Sequence, residues 1–189
     1  MMIFTPNIGK AVRTAVAIIM VFTLAPAITG RAAPTNHYYV KAGNLSPAPP
    51  YRTWGDAATN IQTAVSQAEA DWNANTNFIV WVTNGTYSLT SSITITKAIT
   101  FRSVNGRTNT FVNGNYPAYT NRCFYITGNA VLDGFTISNG YAFGASPANR
   151  GGGVYAYACM ARVQNCRILM NRSAGATGSS GAGAGMAMT

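Results

Sequence analysis

Acidic side chains are nearly missing from this 189-residue chain, which has only Asp56, Glu69, Asp71 and Asp133. Charged residues make up 9 % of it, against about a quarter in an ordinary soluble domain. Catalytic devices built on paired carboxylates are therefore short of material, and so are hard-cation sites, which need about 6–8 oxygen ligands. A single histidine, His37, lies far from the three cysteines, Cys123, Cys159 and Cys166. A zinc site of about four Cys or His ligands at short paired spacing is excluded. An odd cysteine count also rules out complete pairing within the chain. Cys159 and Cys166 are the pair an oxidising compartment would join, and the other reading makes all three small buried apolar residues. The net charge is +9, but the arginines are scattered from Arg52 to Arg172 with no basic run. No nucleic-acid partner is expected. A mildly basic surface is the plain reading of that charge, and attraction to an acidic polysaccharide is a second one.

Long apolar runs are scarce as well. The one that exists, Ala15 to Leu24, follows Lys10 and Arg13 and precedes Ala25-Pro26-Ala27, a small-x-small cleavage pattern. Residues 1–33 thus read as a secretory signal peptide, too short for the roughly 20 residues a membrane helix needs. The expected location is extracytoplasmic, either secreted or at the cell surface, with no membrane span in the mature chain and no nucleotide cofactor within reach.

Asn, Thr, Ser, Tyr and Gly carry the polar surface instead. Residues 34–52 read as an extended segment, His37 to Lys41, followed by a Pro-rich loop from Gly43 to Pro50. Residues 53–73 carry a helix whose apolar positions Ala57, Ile61, Ala64, Val65, Ala68 and Trp72 share one face. Thr53 and Asp56 resemble a capping box at its start. From Phe78 to Thr189 the pattern is of short β-rich runs and turn signals. The expected strands are Phe78 to Val82, Ser92 to Thr96, Ile99 to Val104, Cys123 to Thr127, Ala130 to Ser138, Gly153 to Tyr157 and Arg162 to Met170. Asn84-Gly85, Asn105-Gly106 and Asn113-Gly114 punctuate them.

Repetition decides how such strands are arranged. Val131 to Asn139 lies over Val163 to Asn171 at an offset of 32 residues without a gap. Gly151 to Val154 lies over Gly183 to Met186 at the same offset, and Ile95 to Phe101 matches Val131 to Ile137 more weakly at 36. A period of this size marks a solenoid, whose windings share one core because no single winding buries its apolar face. The expected fold is all-β, a right-handed parallel β-helix with a capping α-helix at its N-terminal end. Asn139 and Asn171 would then occupy equivalent turns, as rungs of a side-chain ladder or as ordinary left-handed turn residues. Since the last winding is left incomplete at Thr189, a longer native chain is expected.

The segments Trp54…Ala57…Asn60-Ile61-Gln62…Ala64…Ala68, Val80 to Tyr87, Ile99 to Gly106, Leu132 to Gly140, Gly151 to Tyr155 and Asn165 to Ile168 resemble the N-terminal region of pectin-lyase-like right-handed β-helix proteins. Exported, repeat-rich bacterial surface proteins are the nearest type. The resemblance implies a fold used both by polysaccharide lyases and glycoside hydrolases and by non-catalytic adhesins. Asp133 is the only carboxylate from Phe78 onward, and the Asp-Gly pair also reads as a turn. No catalytic residue and no metal ligand is assigned. The expected function is a non-catalytic surface module with a structural, adhesive or carbohydrate-contacting role. The alternative is the N-terminal part of a lyase or hydrolase with its active windings downstream. Tyr116, Tyr119 and Tyr141 suit either sugar stacking or loop packing. The N-x-S/T triplets at Asn44, Asn84 and Asn171 carry weight only in a eukaryotic secretory pathway.

Overall fold

Parallel strands dominate the computed structural model, which describes residues 32–176 and 180–189. The expected signal segment, residues 1–33, lies almost wholly outside the described residues. Within the unit Ala33–Thr189 the strands are short, mostly three or four residues, because Asn, Gly, Ser and Lys interrupt the apolar runs.

Sheet A joins β1 (Thr35–Val40), β2 (Asn77–Val82), β5 (Thr100–Ser103), β8 (Val131–Asp133) and β12 (Arg162–Gln164), in that order. Sheet B joins β3 (Gly85–Ser88), β6 (Thr110–Asn113), β9 (Thr136–Ser138) and β13 (Arg167–Leu169). Sheet C joins β4 (Ile93–Ile95), β7 (Phe124–Ile126), β11 (Val154–Ala156) and β15 (Met186–Met188). A fourth pair, β10 (Tyr141–Gly144) with β14 (Arg172–Gly175), appears only in the later rounds. From β2 on the chain visits A, B and C in rotation, and every pairing between strands is parallel. The protein is β-rich, with repeating parallel sheets. Among the described residues no helix is long and apolar enough to cross a membrane.

Parallel register stacks like positions. In sheet A the inward column is Tyr38, Val80, Phe101, Leu132 and Val163. In sheet B it is Tyr87, Val112, Ile137 and Ile168, and in sheet C one column is Ile95, Ile126, Ala156 and Met188. Tyr38, Val80, Phe101, Leu132, Val112, Ile137, Ile95 and Ile126 are fully buried and belong to one core cluster.

The repeat is present, but its offset is 31 residues between β8 and β12, not 32. Val163 pairs with Leu132, and Arg162 pairs with Val131. The 32-residue alignment matched two valines by identity, whereas packing matches the inward Leu132 to Val163. The weaker match also fails, since Ile95 pairs with Ile126, and Val131 pairs with Thr100. The glycine-run match holds, with Val154 opposite Met186. Two runs expected as single strands are each divided. Gly134 at φ 86° separates β8 from β9, and Asn165 at φ 52° separates β12 from β13, so both corners turn through the left-handed region at equivalent places. The Asn139–Asn171 rung is not formed. Side-chain rungs occur instead from Asn105 to Asn84, from Asn139 to Asn113, and from Asn165 to Asp133.

The helix α1 covers Ile61–Ala70, shorter than the expected 53–73. Thr53 and Asp56 do exchange the two hydrogen bonds of a capping box. Ala58, however, is drawn into a parallel bridge with Val40, exchanging hydrogen bonds with Tyr39 and Lys41, which keeps the backbone extended. Helix begins only after Asn60, whose side chain accepts from the Thr63 N–H at 2.9 Å. Ile61, Ala64, Val65 and Ala68 form its buried face, packed on β1, β2 and β4. Asp71 ends the helix and ties it down. It accepts from the Tyr38 hydroxyl at 2.8 Å, Arg52 Nη2 at 2.9 Å and Gln67 Nε2 at 3.2 Å. Burial alone would raise the Asp71 pKa, but hydrogen bonds from Tyr38, Gln67 and Arg52, together with the Arg52 charge, hold it below the ordinary carboxylate value.

Two outcomes follow from this packing. Leu132→Ala should cost about 3 kcal/mol in chemical denaturation, while Val131→Ala, one residue away and half-buried, should cost less than about 1 kcal/mol. Equal losses would contradict the 31-residue register. Asp71→Asn should cost about 2 kcal/mol at neutral pH. Because the folded-state pKa is depressed, this stabilisation is present above about pH 4 and fades as pH falls through the folded value. Denaturation curves of the two proteins should therefore converge in acid.

Candidate functional site

Alternation along sheet A sends one residue inward and the next outward. The outward column beside the core is Tyr39, Trp81, Arg102, Asp133 and Gln164. Asp133 is held on both oxygens, by Arg102 Nε on Oδ2 at 3.0 Å and by Asn165 Nδ2 on Oδ1 at 2.8 Å. Burial pushes its pKa up, but hydrogen bonds from Asn165, Gln164 and Arg102 and the Arg102 charge bring it below the ordinary value. A carboxylate fixed in its ionised form has no proton to give near neutral pH, and each of its oxygens already accepts a hydrogen bond. Asp133 thus serves as a corner tie beside Gly134.

The other carboxylates are engaged too. Asp56 caps Thr53, Glu69 accepts from the N–H and hydroxyl of Thr96, and Asp71 holds the end of α1. Among the described residues no three His, Cys, Asp or Glu side chains gather to hold a metal ion. All three cysteines are free. Cys123 is buried, whereas Cys159 and Cys166 are half-buried. Burial pushes the Cys123 thiol up to about 12 and raises that of Cys166. Such thiols stay protonated and unreactive at neutral pH, and they pack as small apolar groups. The alternative reading, a Cys159–Cys166 disulfide, is not what the structure contains.

The surface that gathers functional groups lies around β10. A loop of residues 114–122 leaves sheet B after β6 and folds back over the start of β10, where the Tyr116 N–H donates to the Asn139 carbonyl at 3.0 Å. Gly140 lies under it so close to the Gly152 carbonyl that a Cβ would overlap that oxygen. Tyr141 then meets Tyr116 with ring centroids 4.6 Å apart and Phe143 at 6.0 Å. Register with β14 places Arg172 beside Tyr141, and its guanidinium sits 5.3 Å above the Tyr116 ring. A groove of about 520 Å³ results, lined by Tyr116, Pro117, Asn139, Met170, Asn171 and Arg172.

A smaller concavity of about 200 Å³ adjoins β10 and is lined in part by Asn121, Arg122, Tyr141 and Phe143. Arg122 Nη2 donates to the Ala148 carbonyl at 2.8 Å, and its guanidinium stands 5.6 Å and 5.1 Å from the rings of Tyr125 and Tyr155. Burial draws the Arg122 pKa below its ordinary value. Asn121 Oδ1 and Arg122 Nε are buried with no hydrogen-bond partner.

Of the three tyrosines marked in the sequence, the structure brings Tyr116 and Tyr141 together. Tyr119 lines neither concavity. Sequence reasoning missed Phe143, Arg122 and Arg172. The 31-residue repeat was the signal that could have set Arg172 beside Tyr141, had its offset been read by packing. Outward aromatics and amides beside an arginine can hold a ring with an apolar face and polar edges. No protein-family model matches the chain, and neither a curated protein nor a solved structure does.

Proposed function

We propose that this chain is an exported right-handed parallel β-helix module of the pectin-lyase-like type, which works at the cell surface or in the medium by contact rather than by catalysis. Rotation of the chain through sheets A, B and C, with like residues stacked in register, supports the solenoid. The apolar face of α1 on β1, β2 and β4 supports a capping role for the helix. Export rests on the charged-then-apolar pattern of Lys10 to Ala27. The observation that carries the functional reading is the state of Asp133. The one carboxylate of the strand region is bound on both oxygens by Arg102 and Asn165. General acid–base chemistry on a glycosidic bond needs a second carboxylate at a defined distance from the first, and hydrolytic pairs stand about 5–9.5 Å apart. A contact role in recognising extracellular polysaccharide or another surface component needs only the groups that line the β10 surface.

Incubation of the purified chain with acidic and neutral polysaccharides tests this reading. Retention of a polysaccharide with no new reducing ends and no unsaturated uronates is the expected result. Steady release of either product, abolished by Asp133→Asn, would overturn the non-catalytic assignment. With Asp133 as a corner tie, Asp133→Asn should instead lower stability by about 1 kcal/mol and leave retention unchanged.

A further inference from the structure

We propose that Asn105 is a self-modification site, where the Gly106 amide nitrogen closes a succinimide ring on the Asn105 side chain and water opens that ring to aspartate or isoaspartate. Four Asn-Gly pairs stand at the ends of strands: Asn84-Gly85, Asn105-Gly106, Asn113-Gly114 and Asn139-Gly140. Glycine after asparagine leaves the approach to the side-chain carbonyl open, because it has no Cβ. What separates the four is the glycine N–H, since the nucleophile is that nitrogen once its proton has gone. Gly85 N–H donates to the Asn109 carbonyl at 2.9 Å, and Gly114 N–H donates to the Ser138 carbonyl at 2.8 Å. Gly140 N–H donates to Asn171 Oδ1 at 2.8 Å. In each of these the proton is held, and the nitrogen cannot turn toward its neighbour's side chain without breaking that bond. Among the described residues the Gly106 N–H has no hydrogen-bond partner, so this pair is the unprotected one.

Three further features act on the same pair. Asn105 is exposed in the turn between β5 and β6, and Lys41, Asn84, Val104 and Asn105 line a concavity of about 350 Å³ there. Water therefore reaches the side chain. Asn109 Nδ2 donates to the Asn105 carbonyl at 3.0 Å. That carbonyl belongs to the peptide group whose nitrogen is Gly106 N, and it takes up charge when the nitrogen loses its proton. A donor aimed at it favours the reactive form. Lastly, the Asn105 side chain is tethered through Nδ2, which donates to Asn84 Oδ1 at 2.8 Å, and Nδ2 is the group that departs. In the reaction, base removes the Gly106 proton and Gly106 N bonds to Asn105 Cγ. The Cγ–Nδ2 bond breaks as Nδ2 takes a proton from water and leaves as ammonia. Water then adds to either ring carbonyl, and the C–N bond at that carbon breaks. Opening at Cγ leaves aspartate, and opening at the main-chain carbonyl leaves isoaspartate. Water is consumed, ammonia is released, and nothing is oxidised or reduced. The product sets a new carboxylate in the concavity with Lys41, in a chain that has few acids.

Ageing of the full chain in mildly alkaline buffer, followed by tryptic mapping with mass spectrometry and isoaspartate detection, tests the assignment. Trypsin separates the four pairs, because Arg102, Arg107 and Arg122 lie between them. The Asn105 peptide should gain the amide-to-acid mass change about tenfold faster than the other three, a factor of the size that one hydrogen bond supplies. In denaturant the four rates should draw together, since the difference lies in the fold. The Asn105 rate should climb with pH, as the share of Gly106 nitrogen without its proton grows. Asn109→Ala should slow the conversion several-fold in the folded chain and leave it unchanged in denaturant, whereas a merely loosened turn would speed it. Asn105→Gln should show no conversion at this position, and thermal unfolding of each variant monitors the fold. Conversion of another pair ahead of Asn105, equal rates in the folded chain, the same ranking in denaturant, or an intact Asn105 where the denatured chain converts would each overturn the site. An Asn109→Ala rate at or above that of the parent chain would overturn the part given to Asn109.

Discussion

Parallel pairing between strands one round apart is the constraint on which everything else in this molecule depends. It aligns residue with residue, so whatever faces inward on one strand meets its counterpart on the next. Tyr38, Val80, Phe101, Leu132 and Val163 form such a file in sheet A, and similar files fill sheets B and C. A strand of three residues cannot hold its own place by hydrogen bonds alone. Its one or two inward side chains, stacked on the apolar side chains of neighbouring strands, do so. The same register delivers side chains to the outside at fixed intervals, which is how Arg102 comes to lie beside Asp133 and Arg172 beside Tyr141.

Corners carry the second part of the design. Each round must change direction between sheets, and it does so at Gly134 and Asn165 with left-handed backbone at matched positions. Asparagine tolerates that conformation and brings a side chain that can reach the neighbouring round. The bonds from Asn105 to Asn84, from Asn139 to Asn113 and from Asn165 to Asp133 satisfy polar groups that would otherwise face one another across a tight stack. Asp133 belongs to this set. Its carboxylate is an acceptor for the next corner and a partner for Arg102, which explains its presence in a strand region otherwise free of acids.

Much of the fold was legible because periodicity reports burial directly. The buried face of α1 was readable from spacing alone, and so were β2, β5, β7 and β11. The remainder was hidden for identifiable reasons. Val131 and Leu132 are adjacent apolar residues, and a one-residue slip exchanges the inward for the outward face without altering composition. Identity favoured Val131 over Val163, whereas packing favours Leu132. The start of α1 was obscured because Thr53 and Asp56 make a true capping box, yet Ala58 is claimed by the edge of β1. Strands β10 and β14 were invisible because Tyr141 to Gly144 and Arg172 to Gly175 alternate too weakly to show a period of two. The β10 groove depends on that very pair, so only its tyrosines could be marked in advance.

The electrostatic consequence reaches further than any single contact. A chain with a net charge of +9 normally balances its cations with surface carboxylates. Here Asp56, Glu69, Asp71 and Asp133 each hold a turn, a helix end or a corner. Asp71 and Asp133 offset Arg52 and Arg102, and the salt bridges among the described residues stop at those two pairs. At physiological ionic strength the field of an exposed guanidinium decays over about 8 Å, so only charge brought close to it benefits. Stability and surface charge are therefore coupled through scarcity: the few acids that hold a turn, a helix end and a corner are the only side chains able to offset the arginines around them.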